Sequence, residues 1–229
     1  MSVCLIPARG GSKRVPRKNV RDFAGRPMIA WSIAAAQDAA VFDRIIVSTD
    51  DDEIARVAMT LGAEVPFRRP AALSDDHATT VQVVRHALEW LDSDCGAADL
   101  LCCLYATAPF VQAGDIRQGT RMLDDWSFTM PVTTFPFPVQ RAVTLDPSGG
   151  LKMLQPEHLT TRSQDLPEAW HDAGQFYCGH TAAWMGDQPI FGPETGAIPI
   201  PRWRVQDIDT PEDWRRAEAM FRALGLGRM

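Results

Sequence analysis

Residues 3–19 read Val3-Cys4-Leu5-Ile6-Pro7-Ala8-Arg9-Gly10-Gly11-Ser12-Lys13-Arg14-Val15-Pro16-Arg17-Lys18-Asn19, an apolar run that passes directly into a glycine-rich loop carrying five basic side chains. A short run of this kind, bounded by turn residues, predicts a buried parallel strand whose carboxyl end opens onto a polar loop. Arg44 to Thr49 repeats the pattern and ends on the acidic cluster Asp50, Asp51 and Asp52. Between the two runs, Met28 to Ala40 places Met28, Ile29, Trp31, Ile33 and Ala36 at helical spacing. Strand, helix and strand make a βαβ unit, and ligands of an open sheet built from such units sit beyond the carboxyl ends of its strands.

Further along, Glu53 to Leu61 predicts a helix stopped by Gly62, Glu64 to Phe67 a third strand, Thr79 to Leu91 a helix, and Leu100 to Tyr105 a fourth strand closing on the loop Ala106 to Phe110. The regularity breaks after Phe128. There the chain is rich in proline, alternates apolar residues and carries the turn Pro147-Ser148-Gly149-Gly150, which predicts hairpins in place of another βα unit. Thr210 to Leu224 returns to a helix opened by Thr-Pro-Glu-Asp. The expectation is one α/β domain over 1–229, with a mostly parallel central sheet and an inserted β arm at about 135–172. A chain of 229 residues is long enough for one sizeable core.

Composition narrows the function. No apolar run approaches the roughly 18 to 20 residues of a membrane span. The apolar stretch at residue 3 lacks a preceding basic segment, the reverse of a secretory signal, which points to the cytoplasm. A net charge of −6 argues against a chain that coats nucleic acid. Five cysteines without CxxC spacing or a zinc-like histidine partner read as reduced core residues.

Dense positive charge in an acidic protein needs a counter-ion. Gly10 and Gly11 let backbone N–H groups approach a ligand, Ser12 adds a hydroxyl, and Lys13 and Lys18 can reach successive phosphates, so a polyphosphate fits. The loop is neither GxxxxGK[ST] nor GxGxxG, and a merely solvated basic turn is the competing reading. Asp207 and Asp209 flank Ile208, so in an extended segment their carboxylates share one face with Cα atoms about 7 Å apart. Two carboxylates beside a triphosphate can hold Mg²⁺, whereas Asp209 before Thr-Pro-Glu-Asp also reads as part of a helix start. Asp50, at the end of its strand, is a weaker candidate that competes with a capping role.

The run IPARGGSKRVPRKN at 6–19 resembles the N-terminal signature of the CMP-sialic acid synthetase (acylneuraminate cytidylyltransferase) family. So do VSTDDDEIA at 47–55, RRPAALSDDHATT at 68–80, LYATAPF at 104–110 and QDIDTPEDW at 206–214. The resemblance implies a Rossmann-like nucleotidyltransferase that joins CMP from CTP to the anomeric hydroxyl of a nine-carbon 2-keto sugar acid, with release of pyrophosphate. It implies that Arg9, Gly10, Gly11, Ser12, Lys13 and Lys18 hold the CTP phosphates, and that Asn19 lies near the nucleotide. Arg69 with Ala78, Thr79 and Thr80 would shape the base and ribose pocket, and Asp207 with Asp209 would hold Mg²⁺. It also implies a homodimer in which the arm covers its apolar residues on a second copy.

Two departures concern the sugar. Family members often carry Gln where this chain has Tyr105 and Ser where it has Ala108. The segment Trp170-His171-Asp172-Ala173-Gly174-Gln175-Phe176-Tyr177 resembles pseudaminic acid cytidylyltransferases more than enzymes of sialic acid. Tyr105, His171, Gln175, Phe176 and Tyr177 are therefore the candidate acceptor contacts, with Arg162 as partner of the sugar carboxylate and Arg141 and Lys152 behind it. An aromatic core strand is the plainer reading of the same segment. Enzymes for N-acetylneuraminic, legionaminic or 3-deoxy-octulosonic acid are the rival activities, and a non-catalytic nucleotide-binding module is the rival of another class.

Overall fold

Val3, Cys4, Leu5 and Ile6 are all buried in β1 (Ser2–Pro7), as a parallel strand covered on both faces requires. The computed structural model describes residues 1–94 and 96–227. Beyond the basic loop, the two-residue strands β2 (Asp22–Phe23) and β3 (Arg26–Pro27) form a small ribbon that leads into α1 (Met28–Ala39). β4 (Arg44–Ser48) pairs parallel with β1, Val3 opposite Arg44. α2 (Asp52–Thr60) is capped by the Asp51 side chain, which accepts from the backbone N–H groups of Glu53 and Ile54.

The strand expected at Glu64 to Phe67 does not form; only isolated bridges, Ile46 with Glu64 and Thr49 with Arg68, join this segment to the β4 edge. Pro66 lies between them and has no N–H to donate to a ladder. α3 (Thr80–Asp94) then leads to β5 (Leu100–Leu104), parallel to β1 on its other side.

Sequence periodicity does not reveal the next helix, α4 (Ala113–Met122), whose only buried residues are Ile116 and Gly119. It packs by proximity instead: a Cβ on Gly119 would stand 2.9 Å from the Phe176 ring. β6 (Phe128–Thr134) follows, then the arm, with its hairpin β7 (Val143–Leu145) and β8 (Leu151–Met153) turned at Pro147 to Gly150. β9 (Trp170–Asp172) and β10 (Phe176–His180) both run antiparallel to β6. The short α5 (Thr181–Met185), β11 (Thr195–Pro199) and α6 (Pro211–Ala223) complete the chain. α6 opens on a full capping box, Thr210 and Asp213 each satisfying the other's backbone N–H.

Among the described residues the main sheet runs β11-β6-β10-β5-β1-β4, with β9 beside β6. β1, β4, β5, β6 and β11 point the same way and only β9 and β10 are reversed, so the sheet is mostly parallel as expected. One face packs α1, α2 and α4 against Cys4, Ile6, Leu104 and Phe176. The other packs α3 and α5 against Val3, Leu5, Leu101 and Tyr177.

Cys4, Cys102, Cys103 and Cys178 are buried and unpaired, and Cys102 lies opposite both Cys4 and Cys178. Cys95 lies outside the described residues. No helix among the described residues is long and apolar enough to cross a membrane.

Candidate active site

A third apolar cluster sets the site. Val15 of the basic loop and Ile208, between the two aspartates, are both buried against Phe23, Phe110, Trp214 and Phe221. Burying one aliphatic side chain from each charged segment stabilises the pairing by about 1.5–3 kcal/mol per residue and holds the loop and the acidic segment side by side. Lys18 completes the join, donating to the Ile208 carbonyl at 2.7 Å and lying 3.3 Å from Asp209 Oδ1.

Each of the loop's five basic side chains has a carboxylate partner. Asp76 bridges Arg9, at 2.7 Å, and Lys13; Asp209 bridges Arg14, at 2.7 Å, and Lys18; Arg17 pairs with Asp51 and Glu53. The Arg17 guanidinium holds the Asp51 carboxyl down to about 2, so Asp51 stays charged as helix cap and loop strut. Gly10 donates its N–H to Asp50 at 3.0 Å and leaves no room for a Cβ, which would meet Asp51 Oδ2 at 2.8 Å. A Cβ on Gly11 would meet nothing. Asp50 is thus occupied in holding the loop. Asn19 is buried and donates to the Arg9 carbonyl at 2.9 Å.

Three cavities meet at Tyr105, just past β5. The first is lined by Arg9, Ser12, Lys13, Arg14, Lys18 and Asn19. The second lies behind Arg9 and is lined by Arg69, Ala78 and Thr80. Arg69 is 4% exposed, and one of its terminal nitrogens has no hydrogen-bond partner, with Asp50 3.8 Å away. Burial lowers its pKa, but an arginine stays charged, so this nitrogen is an unused donor at the cavity wall. Thr79 does not line this cavity; its hydroxyl and N–H bond Gln82 at the start of α3.

The third cavity, about 470 Å³, is lined by Lys18, Tyr105, Thr107, His171, Asp172, Asp207 and Asp209. Tyr105 and His171, expected at the acceptor, and Asp207 and Asp209, expected at a metal ion, all line this one space. The Asp207 carboxylate accepts no hydrogen bond among the described residues, and burial, then the neighbouring Asp209, raise its pKa. A carboxylate pair of this kind suits a divalent cation that prefers oxygen ligands, which would relieve the repulsion between them.

Three expected acceptor contacts are corrected. Between β9 and β10 the register against β6 slips, from Val132 opposite Asp172 to Thr129 opposite Cys178. The extra residues are taken up in a bulge around Gly174, which is exposed at φ +62°, while Ala173 and Gln175 on either side of it are buried. Gln175 is turned inward, 3% exposed, and donates to the Arg204 carbonyl at 2.7 Å, so it holds the 3-10 turn Arg202–Arg204 that leads to Asp207. Phe176 is fully buried beneath α4. Tyr177 is 5% exposed and donates its hydroxyl to Asp172. None of the three lines the cavity. Arg162 is out in the arm, paired with Asp165 at 2.7 Å, and Arg141 donates to the Ser163 hydroxyl at 3.3 Å; Lys152 lies on β8.

Sequence reasoning assigned no role to five residues of this region. Asp76, Thr107 and Asp172 lie within the quoted segments 68–80, 104–110 and 170–177, where nothing sets them apart from their neighbours. Arg204 and Asp115 form a bidentate pair, 2.6 and 3.2 Å, with side chains 7% and 14% exposed, and only the fold brings β11's exit to α4.

A family model described as "Cytidylyltransferase" matches residues 3–191. The chain is 43% identical over 223 residues to a pseudaminic acid cytidylyltransferase of Campylobacter jejuni serotype O:23/36, covering 96% of each. It is 32% identical over 223 residues to the CMP-N,N'-diacetyllegionaminic acid synthase of Campylobacter jejuni serotype O:2, covering 96% of this chain and 94% of that protein. The solved structure of a CMP:2-keto-3-deoxy-manno-octonic acid synthetase complexed with CTP superposes with a TM-score of 0.68 at 18% identity, over 97% of this chain and 99% of the other, so the fold is shared.

Proposed function

Because the chain belongs to the cytidylyltransferase family, we propose that it transfers CMP from CTP to the anomeric hydroxyl of a nine-carbon 2-keto sugar acid, pseudaminic acid, with release of pyrophosphate. The observation that carries this reading is the meeting of a cation-lined cavity and an acid-lined cavity at Lys18, Tyr105, Thr107 and Asp209. A nucleotide whose phosphates lie in the cation-lined cavity presents its α-phosphorus to an acceptor held in the acid-lined one. The identity to the Campylobacter jejuni pseudaminic acid enzyme supports the choice of acceptor.

Arg9, Ser12, Lys13, Arg14 and Lys18 take the triphosphate, and the phosphates replace Asp76 and Asp209 as counter-ions of these side chains. Arg69 offers its unused N–H to the base, and Thr80 with Ala78 closes the wall behind it. In the third cavity the acceptor hydroxyl oxygen attacks the α-phosphorus as the bond to the pyrophosphate oxygen breaks. Positioning and charge neutralisation supply the catalysis, and no side-chain nucleophile is needed. Asp207 and Asp209 would hold Mg²⁺, which would polarise the phosphoryl oxygen and ease deprotonation of the attacking hydroxyl. Use of CTP, a nucleotide of the cytoplasm, supports a cytoplasmic enzyme.

The arm supports a second proposal, a homodimer. Phe137 is 80% exposed, Leu145 and Leu151 72%, and Leu159 68%, an apolar surface too concentrated to face water alone. A scattering mass of one chain at micromolar concentration would contradict it.

The activity is tested by pyrophosphate release with CTP and a panel of pseudaminic, N-acetylneuraminic, legionaminic and 3-deoxy-octulosonic acids. The expected result is at least about tenfold greater kcat/KM for pseudaminic acid. A preference for another member rejects the substrate and keeps the chemistry; no release with any of them rejects both.

A further inference from the structure

Asp172 stands where the bulge between β9 and β10 begins, in the wall of the acceptor cavity. Its Oδ1 accepts from Gly174 N–H at 2.7 Å and its Oδ2 accepts from the Tyr177 hydroxyl. Tyr177 is in turn packed edge-on against Tyr105, ring centres 5.7 Å apart, and Tyr105 shares a 3.1 Å hydrogen bond with Thr80. Burial pushes the Tyr177 pKa well up, so its hydroxyl keeps its proton and remains a donor to Asp172. The carboxylate is therefore clamped from behind by two donors. Each of its oxygens has further lone-pair capacity, and an ionised carboxylate can only accept.

The same cavity already holds Asp207 and Asp209, against the single ammonium of Lys18. A third carboxylate adds to the repulsion on an anionic acceptor, a cost that a purely structural residue need not impose at this wall. Its chemistry suits a donor and rejects the acceptor's own carboxylate. We propose that Asp172 is a specificity-determining residue that accepts a hydrogen bond from an N–H or O–H on a ring substituent of the sugar acid. The proposal rests on the acceptor reading given above. An acceptor that presents no donor there strips water from the remaining lone pairs of the carboxylate without replacing it, which is how a polar group in a pocket wall enforces selectivity.

The test compares the parent enzyme with Asp172→Asn and Tyr177→Phe, measuring KM for CTP and for the acceptor, with pseudaminic and N-acetylneuraminic acids as probes. Asp172→Asn is expected to raise the KM for pseudaminic acid about tenfold and to reduce the preference between the two acids. Its KM for CTP should stay within about twofold, which also reports an intact fold. Tyr177→Phe, which leaves the carboxylate in place, is expected to give a clearly smaller change. An unchanged acceptor KM in Asp172→Asn overturns the proposal while leaving the activity standing. So does a Tyr177→Phe defect equal to that of Asp172→Asn, or a parallel rise in the KM for CTP, since either marks a strut and not a contact. A parent enzyme that releases no pyrophosphate with either acid overturns the functional reading and the proposal together.

Discussion

The basic loop and the bulge between β9 and β10 face each other across Tyr105, and they are held in opposite ways. At the outer side of the loop, Lys13 and Arg14 lean on carboxylates in contact with water: Lys13 is 79% exposed, Arg14 68%, and Asp76 42%. Pairs of this kind contribute about 0–1 kcal/mol each, so they exchange one anion for another at little cost. The bulge is fixed by buried contacts, the Gln175 amide on the Arg204 carbonyl and the Arg204–Asp115 pair behind it. Removing one partner of such a pair leaves a charge stranded away from water. One wall of the site is therefore built to trade counter-ions and the other to keep its shape, which suits a nucleotide recognised by charge and a sugar recognised by its substituents.

The contrast breaks most readily at Asp115. Asp115→Ala is expected to lower unfolding stability by about 3–5 kcal/mol, measured in urea, because Arg204 is left unpaired; a loss no larger than that of a surface pair would erase the distinction between the two walls. Phe176→Ala comes next, with a loss of about 3–4 kcal/mol for a buried aromatic and no change in acceptor preference. A change in acceptor preference at unchanged stability would return Phe176 to the sugar.

At the junction of the walls, Asp209→Asn and Asp207→Asn are each expected to reduce turnover at saturating Mg²⁺ by more than about tenfold, the equivalent of a charge-assisted contact. Near-normal rates in both, with folding intact, would remove the metal assignment. Asp207→Asn carries a second, opposite effect. Burial and Asp209 raise the Asp207 pKa, so its charged form costs stability. That cost is absent below the ordinary aspartate range and is borne in full once the pH has risen through the raised value. The variant should melt above the parent at neutral pH, and the difference should vanish in acid. The smallest effect belongs to Asp76. Asp76→Asn frees Arg9 and Lys13 for phosphate and is expected to lower the KM for CTP about two- to fivefold; an increase would make Asp76 an ally of the nucleotide and not its competitor.

The same contrast explains what could be read from the sequence. The βαβ start was legible because its strands are continuous apolar runs, and the loop because its charges lie within eleven residues of one another. Asp207 and Asp209 were legible because alternation around a buried Ile208 requires both to face outward together. Depth was not legible around Gln175. A bulge changes which side chains face in, and composition carries no mark of it beyond Gly174, so Gln175 and Phe176 read as acceptor contacts when they are core, as the plainer reading of an aromatic core strand had it. α4 was missed for a related reason: a helix that approaches its sheet through Gly119 needs no apolar stripe. Arg162 was read as a ligand because its chemistry suits a carboxylate, and a carboxylate, Asp165, stands three residues away.

The cysteines opposite one another in β1, β5 and β10 tie the core to the chemistry of the surroundings. Cys4, Cys102 and Cys178 are wholly shielded from solvent, and burial raises the pKa of Cys4 and Cys102, keeping the reactive thiolate scarce. An alkylating reagent or an oxidant can reach these sulfurs only when neighbouring strands part. Their modification rate is thus a clock for opening of the strands that end at Leu104 and begin at Phe176, and a ligand that bridges the walls of the site should slow that clock without touching a sulfur.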